Sequence, residues 1–251
     1  MTKVSIITVV FNAVGFIEQC ISSVLDQSYG NIEYIIVDGG STDGTVEVIK
    51  KYEQRISKWI SAPDKGLYYA LNKGIQMASG EIAGFLHADD VYANNRIVET
   101  VVSEMTEYNV DGCYGDLLYV DRHNVEKIVR YWKSSPYYDG LFKRGWMLPH
   151  PTLFLKRDIY NRYGFFNTDF RIAADYELML RFFEKYKVSS HYIPEVFIKM
   201  RVGGVSNRSL KNIFRKTSED YKAWKVNNLS GGWYTILLKN IIKIPQFFVR
   251  E

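Results

Sequence analysis

The chain has 251 residues, 47% of them hydrophobic and 15% aromatic, which supplies enough apolar surface for one or two cored domains. Its formal charge is only +4, with acids and bases interspersed. That excludes the concentrated basic face of a nucleic-acid binder and leaves room for a small anionic partner.

Six prolines and no low-complexity tract exclude extended disorder. Cys20 and Cys113 form no metal-spaced pair. The opening stretch MTKVSIITVVFN has too short an apolar run for a signal peptide. Nowhere do about 20 uninterrupted apolar residues predict a membrane span. A cytoplasmic location is the expectation.

In chain order, Val4 to Phe11 is a β-branched run that predicts a buried strand. Ile17, Ile21, Val24 and Leu25 recur at helical spacing. Ile32 to Val37 predicts a second strand, stopped by Asp38, Gly39 and Gly40, and STDGTVEVIKKYEQRI a turn and a helix. Ile56 to Ile60 is a weaker strand, and KGLYYALNKGIQMASG a helix ending at Gly80. EIAGFL is a fourth strand. Asn94 or Asn95 can cap a helix to Tyr108. DGCYGDLLYVD and VEKIVRYW predict a hairpin, and PTLFLK is another apolar run. Arg171 to Glu184 predicts a helix, VSSHYIPEVFIKMR a strand, and Leu210–Trp224 and Trp233–Phe248 two terminal helices.

The strand–helix alternation over residues 1–120 predicts an α/β fold, with a mostly parallel sheet flanked by helices. Ligands of such sheets lie beyond the carboxyl ends of the strands. Asn12, Asp38, Asp64 and the cluster His87 to Asp90 all fall there. Adjacent carboxylates at a strand end suit a hard divalent ion whose remaining ligands come from a diphosphate and water. The segment VDGGSTDGT lacks both G-x-G-x-x-G and Gly-Lys-Ser/Thr, which disfavours a nicotinamide enzyme and a P-loop ATPase.

Together, Phe11-Asn12, VDGGSTDGT and the strand-ending triad His87-Ala88-Asp89 resemble family-two inverting glycosyltransferases of the GT-A type. APDKGLYYALNKGI and HPTLFLKRDIYNRYGFFNTDFRIAADYELMLR are similar to bacterial enzymes that build surface polysaccharides. The resemblance implies a Rossmann-like GT-A domain over residues 1–205. Residues 1–120 would form its nucleotide-sugar half and 121–205 its acceptor-side half, with 206–251 a C-terminal helical extension.

It further implies that Asp38 reads the base, with Val10 and Asn12 lining that pocket and Asp64 and Lys65 beside the nucleoside. Asp89 would hold Mn²⁺ or Mg²⁺ through the donor diphosphate, with Asp90 orienting water, ribose or donor sugar. Asp175 matches the catalytic base. Two departures stand out: His87 occupies the place of the triad's first acid, and Ala174 stands where relatives often carry Glu before the base. His87 then either ligates metal or donates to ribose or phosphate. Glu177 is the fallback base.

His150, between prolines, is expected to contact acceptor or diphosphate, or to make a structural hydrogen bond. RVGGVSN reads as a loop closing over the donor phosphates, with Arg201 or Arg208 supplying charge, or as a simple turn.

The expected activity is transfer of one sugar from a nucleotide-diphosphate sugar, UDP favoured, to a polyprenyl-diphosphate-linked saccharide. The aromatic and basic tail suits an interfacial helix at the inner face of the membrane, a helix packed on the core, or a homodimer contact. Alternatives are a processive synthase, which lacks its Q-x-x-R-W motif here, a sugar nucleotidyltransferase, and a non-enzymatic carbohydrate-binding scaffold.

Overall fold

Strand β1 (Val4–Val10) is buried along its whole length. Its side chains alternate between two cores, as a strand covered on both faces requires. Ile7 and Val9 join Ile35 and Val37 on one face, while Ile6 and Val10 join Ile36 on the other. In this computed structural model, which describes residues 1–203, 210–231 and 233–241, β1 is flanked by β2 (Ile32–Asp38) and β4 (Ile82–Phe85), both parallel to it. Strand β3 (Lys58–Ser61) adds in parallel outside β2.

Helices α1 (Ile17–Leu25), α2 (Thr45–Lys51) and α3 (Leu67–Met77) make the connections. The carboxyl ends of the four parallel strands therefore share one edge. Register aligns Val10 with Asp38 and Asp38 with Ser61. Helix α3 lies close on the sheet because Gly74 has no side chain; a Cβ there would come within 2.4 Å of Ile7.

Beyond β4 antiparallel pairs enter. The remaining strands are β5 (Val91–Tyr92), β6 (Gly112–Val120), β7 (Ile128–Trp132), β8 (Phe154–Lys156) and β9 (Ser190–Arg201). The sheet order is β3-β2-β1-β4-β8-β6-β9-β5, with β7 on β6 as the expected hairpin. Strand β4 is thus the seam, parallel to β1 and antiparallel to β8. Helices α4 (Ile97–Glu107) and α5 (Arg157–Tyr163) follow β5 and β8. Helix α6 (Ala174–Met179) continues into a π-helical turn, Leu180–Lys185.

Several boundaries differ from expectation for local reasons. The first strand stops at Val10, because Asn12 turns the chain at φ 49°. Helix α3 ends at Met77, and Gly80 instead packs against Ser5, where a Cβ would lie 2.7 Å from the Ser5 nitrogen. The helix expected from Arg171 starts at Ala174: Ala173, at φ −118° and ψ 24°, is still outside it, and residues 171–173 give their N–H groups to Glu219.

Helix α7 (Leu210–Val226) joins the same core as the sheet through Ala223 and Trp224, and α8 (Trp233–Ile241) packs against α7 and the turn at Phe142–Arg144. Trp224 is fully buried and donates from Nε1 to the Tyr176 hydroxyl at 3.0 Å. Asn227 donates to Glu177 at 3.0 Å. Buried Lys239 pairs with buried Asp220 at 2.8 Å and sits 3.3 Å above the Tyr176 ring centroid. Gly145, at φ +85°, accepts the α8 backbone so closely that a Cβ would lie 2.4 Å from the Lys239 nitrogen. The expected continuation of α8 to Phe248 lies outside the described residues.

Candidate active site

The loops after β1 and β2 are laced together by short polar side chains. Asn12 donates its N–H to Ser41 Oγ at 2.7 Å, and its Oδ1 accepts from the Thr42 N–H at 2.9 Å. Asp43 accepts from Val14 N–H and from Thr45, whose hydroxyl accepts from Ala13 N–H. Asp38 is fully buried. Its carboxylate accepts from Gly40 N–H at 3.1 Å, Ser41 N–H at 3.0 Å, the Ser41 hydroxyl, and Ser61 Oγ at 2.6 Å. In this state Asp38 organises the loop, and a base could reach it only as one of these serines yields.

At the end of β3, Asp64 pairs with Lys73 at 2.7 Å, while its second oxygen, also buried, has no hydrogen-bond partner among the described residues. Lys65 is exposed beside it.

The turn after β4 separates the two acids that the sequence makes adjacent. The Asp89 side chain accepts no hydrogen bond from the described residues and is partly exposed. Asp90 points inward, 1% exposed, and accepts the Arg201 N–H at 3.2 Å. Burial, reinforced by Asp89, pushes the Asp90 carboxyl well above the usual range. Asp90, expected to orient water or sugar, is instead the inward tie between this turn and β9.

Arg201 likewise departs from expectation. It ends β9 rather than sitting in an open glycine loop, and it is 4% exposed. Its guanidinium holds the Asp89 carbonyl and the Gln19 side chain and lies over the Phe16 ring. It braces the Asp89 turn instead of facing a donor. Arg208 lies outside the described residues.

Residues after β7 bring His150 and Asp175 beside His87. His150 Nδ1 lies 3.1 Å from Asp175 Oδ2, and the His150 ring packs edge-on to His87 with centroids 5.8 Å apart. The Tyr68 hydroxyl, from α3, donates to the Ile172 carbonyl at 2.7 Å and lies 3.4 Å from Asp175 Oδ1. Phe85, Leu153, Tyr160, Phe166 and Leu178 line an apolar cavity beside this pair, which strengthens its electrostatics.

Burial raises the Asp175 carboxyl, but His150, Lys239 and Lys216 together hold it below the ordinary aspartate value. Burial, then the neighbouring His150, pushes His87 down to about 4, with Asp89 and Asp175 opposing. Burial also lowers His150, while Asp175 pulls it the other way. Near neutral pH the arrangement is therefore a carboxylate facing two neutral imidazoles, with His150 Nδ1 3.1 Å from Asp175 Oδ2. Glu177 is not available as a base: it is 2% exposed, paired with Arg181 at 3.0 Å and held by Asn227.

The sequence pattern marks neither the pairing of His150 with Asp175 nor the parts played by Ser61, Tyr68 and Glu219, while Ser41 lies inside the VDGGSTDGT motif. Tyr68 and Glu219 sit in ordinary helical patterns that carry no local mark.

Comparison with known proteins identifies the family. The glycosyl transferase family 2 model matches residues 5–172. The chain is 33% identical over 180 residues to an uncharacterized glycosyltransferase of Mycobacterium tuberculosis H37Rv, covering 71% of this chain and 68% of the relative. It is 28% identical over 218 residues to a PGL/p-HBAD biosynthesis glycosyltransferase of M. tuberculosis H37Ra, covering 84% and 82%.

Among solved structures, S. aureus TarS 1–349 in complex with UDP-GlcNAc superposes with a TM-score of 0.69 at 14% identity, covering 94% of this chain and 70% of that one. In a longer TarS structure the match covers 93% of this chain but only 41% of the TarS chain. The mannosyltransferase PcManGT from Pyrobaculum calidifontis, in complex with GDP-Man and Mn²⁺, gives a TM-score of 0.67 at 17% identity, covering 98% and 71%.

Sheet, strand-end cluster and family match define a glycosyltransferase with the GT-A architecture. The chain belongs to glycosyl transferase family 2.

Proposed function

We propose that this enzyme is inverting. It moves one sugar from a nucleotide-diphosphate sugar, UDP favoured, to a hydroxyl of a growing, lipid-linked saccharide in bacterial surface polysaccharide synthesis. The observation that carries this reading is one ionised carboxylate, Asp175, oriented by His150 and Tyr68 beside the strand end that bears Asp89. The acceptor hydroxyl gives its proton to Asp175 as its oxygen bonds to the anomeric carbon. The bond from that carbon to the diphosphate breaks on the opposite face, so configuration inverts. Neutral His150 keeps the carboxylate pointed at the acceptor. The Asn12–Ser41–Asp38 network shapes the base pocket, with Val10 behind it and Asp64 and Lys65 at its rim.

Asp89 would hold Mn²⁺ or Mg²⁺. Its carboxylate is free of hydrogen bonds from the described residues, and a single acid suits a hard ion that takes its other ligands from diphosphate and water. No group of three or more His, Cys, Asp or Glu among the described residues could hold a metal ion without further ligands. When bound, the ion neutralises charge on the departing diphosphate. His87, neutral and adjacent, would donate to the ribose or phosphate.

The named roles of relatives support this reading: PGL/p-HBAD biosynthesis in mycobacteria, UDP-GlcNAc bound to TarS, and GDP-Man with Mn²⁺ bound to PcManGT. The test is a donor panel with Mn²⁺, following nucleotide-diphosphate release and the anomeric configuration of the product. Retention of configuration would overturn the inverting mechanism.

The C-terminal helices support a peripheral membrane site for the reaction. Among the described residues no helix is long and apolar enough to cross a membrane. Yet α7 and α8 expose Phe214 (76%) and Trp233 (71%), together with Tyr234 and Leu237. Arg215, Lys222 and Lys225 accompany them on α7. Apolar anchors with basic neighbours fit an anionic lipid surface at the inner face, where a polyprenyl-linked acceptor would lie.

A further inference from the structure

Three consecutive backbone N–H groups lead into the segment that bears Asp175, and all three point at one carboxylate from a distant part of the chain. Glu219 of α7 accepts from Arg171 N–H at 3.1 Å, Ile172 N–H at 2.9 Å and Ala173 N–H at 3.0 Å. On the other side of the same segment, Tyr68 fixes the Ile172 carbonyl at 2.7 Å. Asp175 lies two residues beyond Ala173, so its approach to His150 is set by this doubly tied turn.

A carboxylate is the acceptor that can take three converging donors, because its two oxygens offer about four lone pairs. Glu219 is itself anchored by its helix. Next to it, Asp220 pairs with Lys239 of α8, and five residues on, Trp224 is buried and bonded to Tyr176.

We propose that Glu219 is a positioning residue for Asp175: it latches residues 171–173 so that the carboxylate meets His150 and faces the acceptor. The latch is supplied by the C-terminal helices, outside the matched family segment of residues 5–172. The inference rests on the reading of Asp175 as the base.

The test follows the His150 imidazole by NMR titration of the metal-free, full-length protein, assigned with His150→Gln. In Glu219→Ala the His150 midpoint should fall by about one pH unit, because the Asp175 charge no longer stands beside it. Glu219→Gln keeps one carbonyl acceptor but sets an NH₂ against the remaining donors, and should show a smaller fall. An unmoved titration in a folded Glu219→Ala overturns the proposal. If that variant does not fold, Glu219→Gln decides on the same readout.

Turnover of Asp175→Asn, with UDP-GlcNAc and GDP-mannose as donor probes, separates the two readings. Undiminished turnover removes the base role and this inference with it. Lost turnover together with an unmoved His150 titration removes this inference alone.

Discussion

Asp175 and His150 face each other across 3.1 Å, with the carboxyl held low by its basic neighbours. Replacing Asp175 by Asn keeps the shape and removes the proton acceptor. Transfer should fall about 10²–10⁴-fold while donor affinity stays unchanged, as read by product formation beside equilibrium dialysis. Loss of both together would assign Asp175 to donor binding.

His87 makes a separate prediction about stability. Its imidazole drops from an ordinary 6.5 to about 4 on folding. Between those values the unfolded chain binds the extra proton, so the stabilisation is fully present above about 6.5 and is lost as pH falls toward about 4. Denaturant unfolding of the chelator-treated protein across that window should show declining stability. His87→Gln should flatten the slope, and an unchanged slope would place the titration elsewhere.

At the scale of elements, the region up to β4 is readable from sequence because each strand there is a short β-branched run ending in a polar cluster. Sheet topology then gathers Asn12, Asp38, Asp64 and Asp89 at one edge. Local sequence separates Asp89 from Asp90 only through the family resemblance, since neighbours on a turn point apart and the packing of β9 decides which one faces in. It cannot show what Trp224 does, because an amphipathic pattern tells that a helix is covered but not what covers it.

Trp224 lies under Gly231 and against Tyr176. Trp224→Ala should cost about 3–5 kcal/mol in urea unfolding. At the seam strand, a Cβ at Gly84 would meet Phe154 at 2.4 Å, so Gly84→Ala should cost about 1–3 kcal/mol by overpacking. Little change in either would mean that the neighbouring aromatic ring can move aside.

For the whole molecule, the aromatic and basic face of α7 and α8 predicts salt-sensitive binding to anionic vesicles and weak binding to neutral ones. Trp233→Ser with Leu237→Ser should weaken it about tenfold or more in co-sedimentation. Concentration-dependent dimerisation lost in the same variant, without vesicle binding, would make the face a contact between copies. Charge and composition made such a surface legible, but its tie to the Asp175 segment was not, because the bond from Arg171 to Glu219 spans 48 residues.

That span has a meaning in time as well as in space. A chain emerging from the ribosome folds from its N-terminal side first. The sheet and the Asp175 segment are made before Glu219 exists to receive the three amides. On the proposed roles, a nascent enzyme would already hold its strand-end edge while the Asp175 segment stays unlatched, and reactivity would follow only as α7 docks.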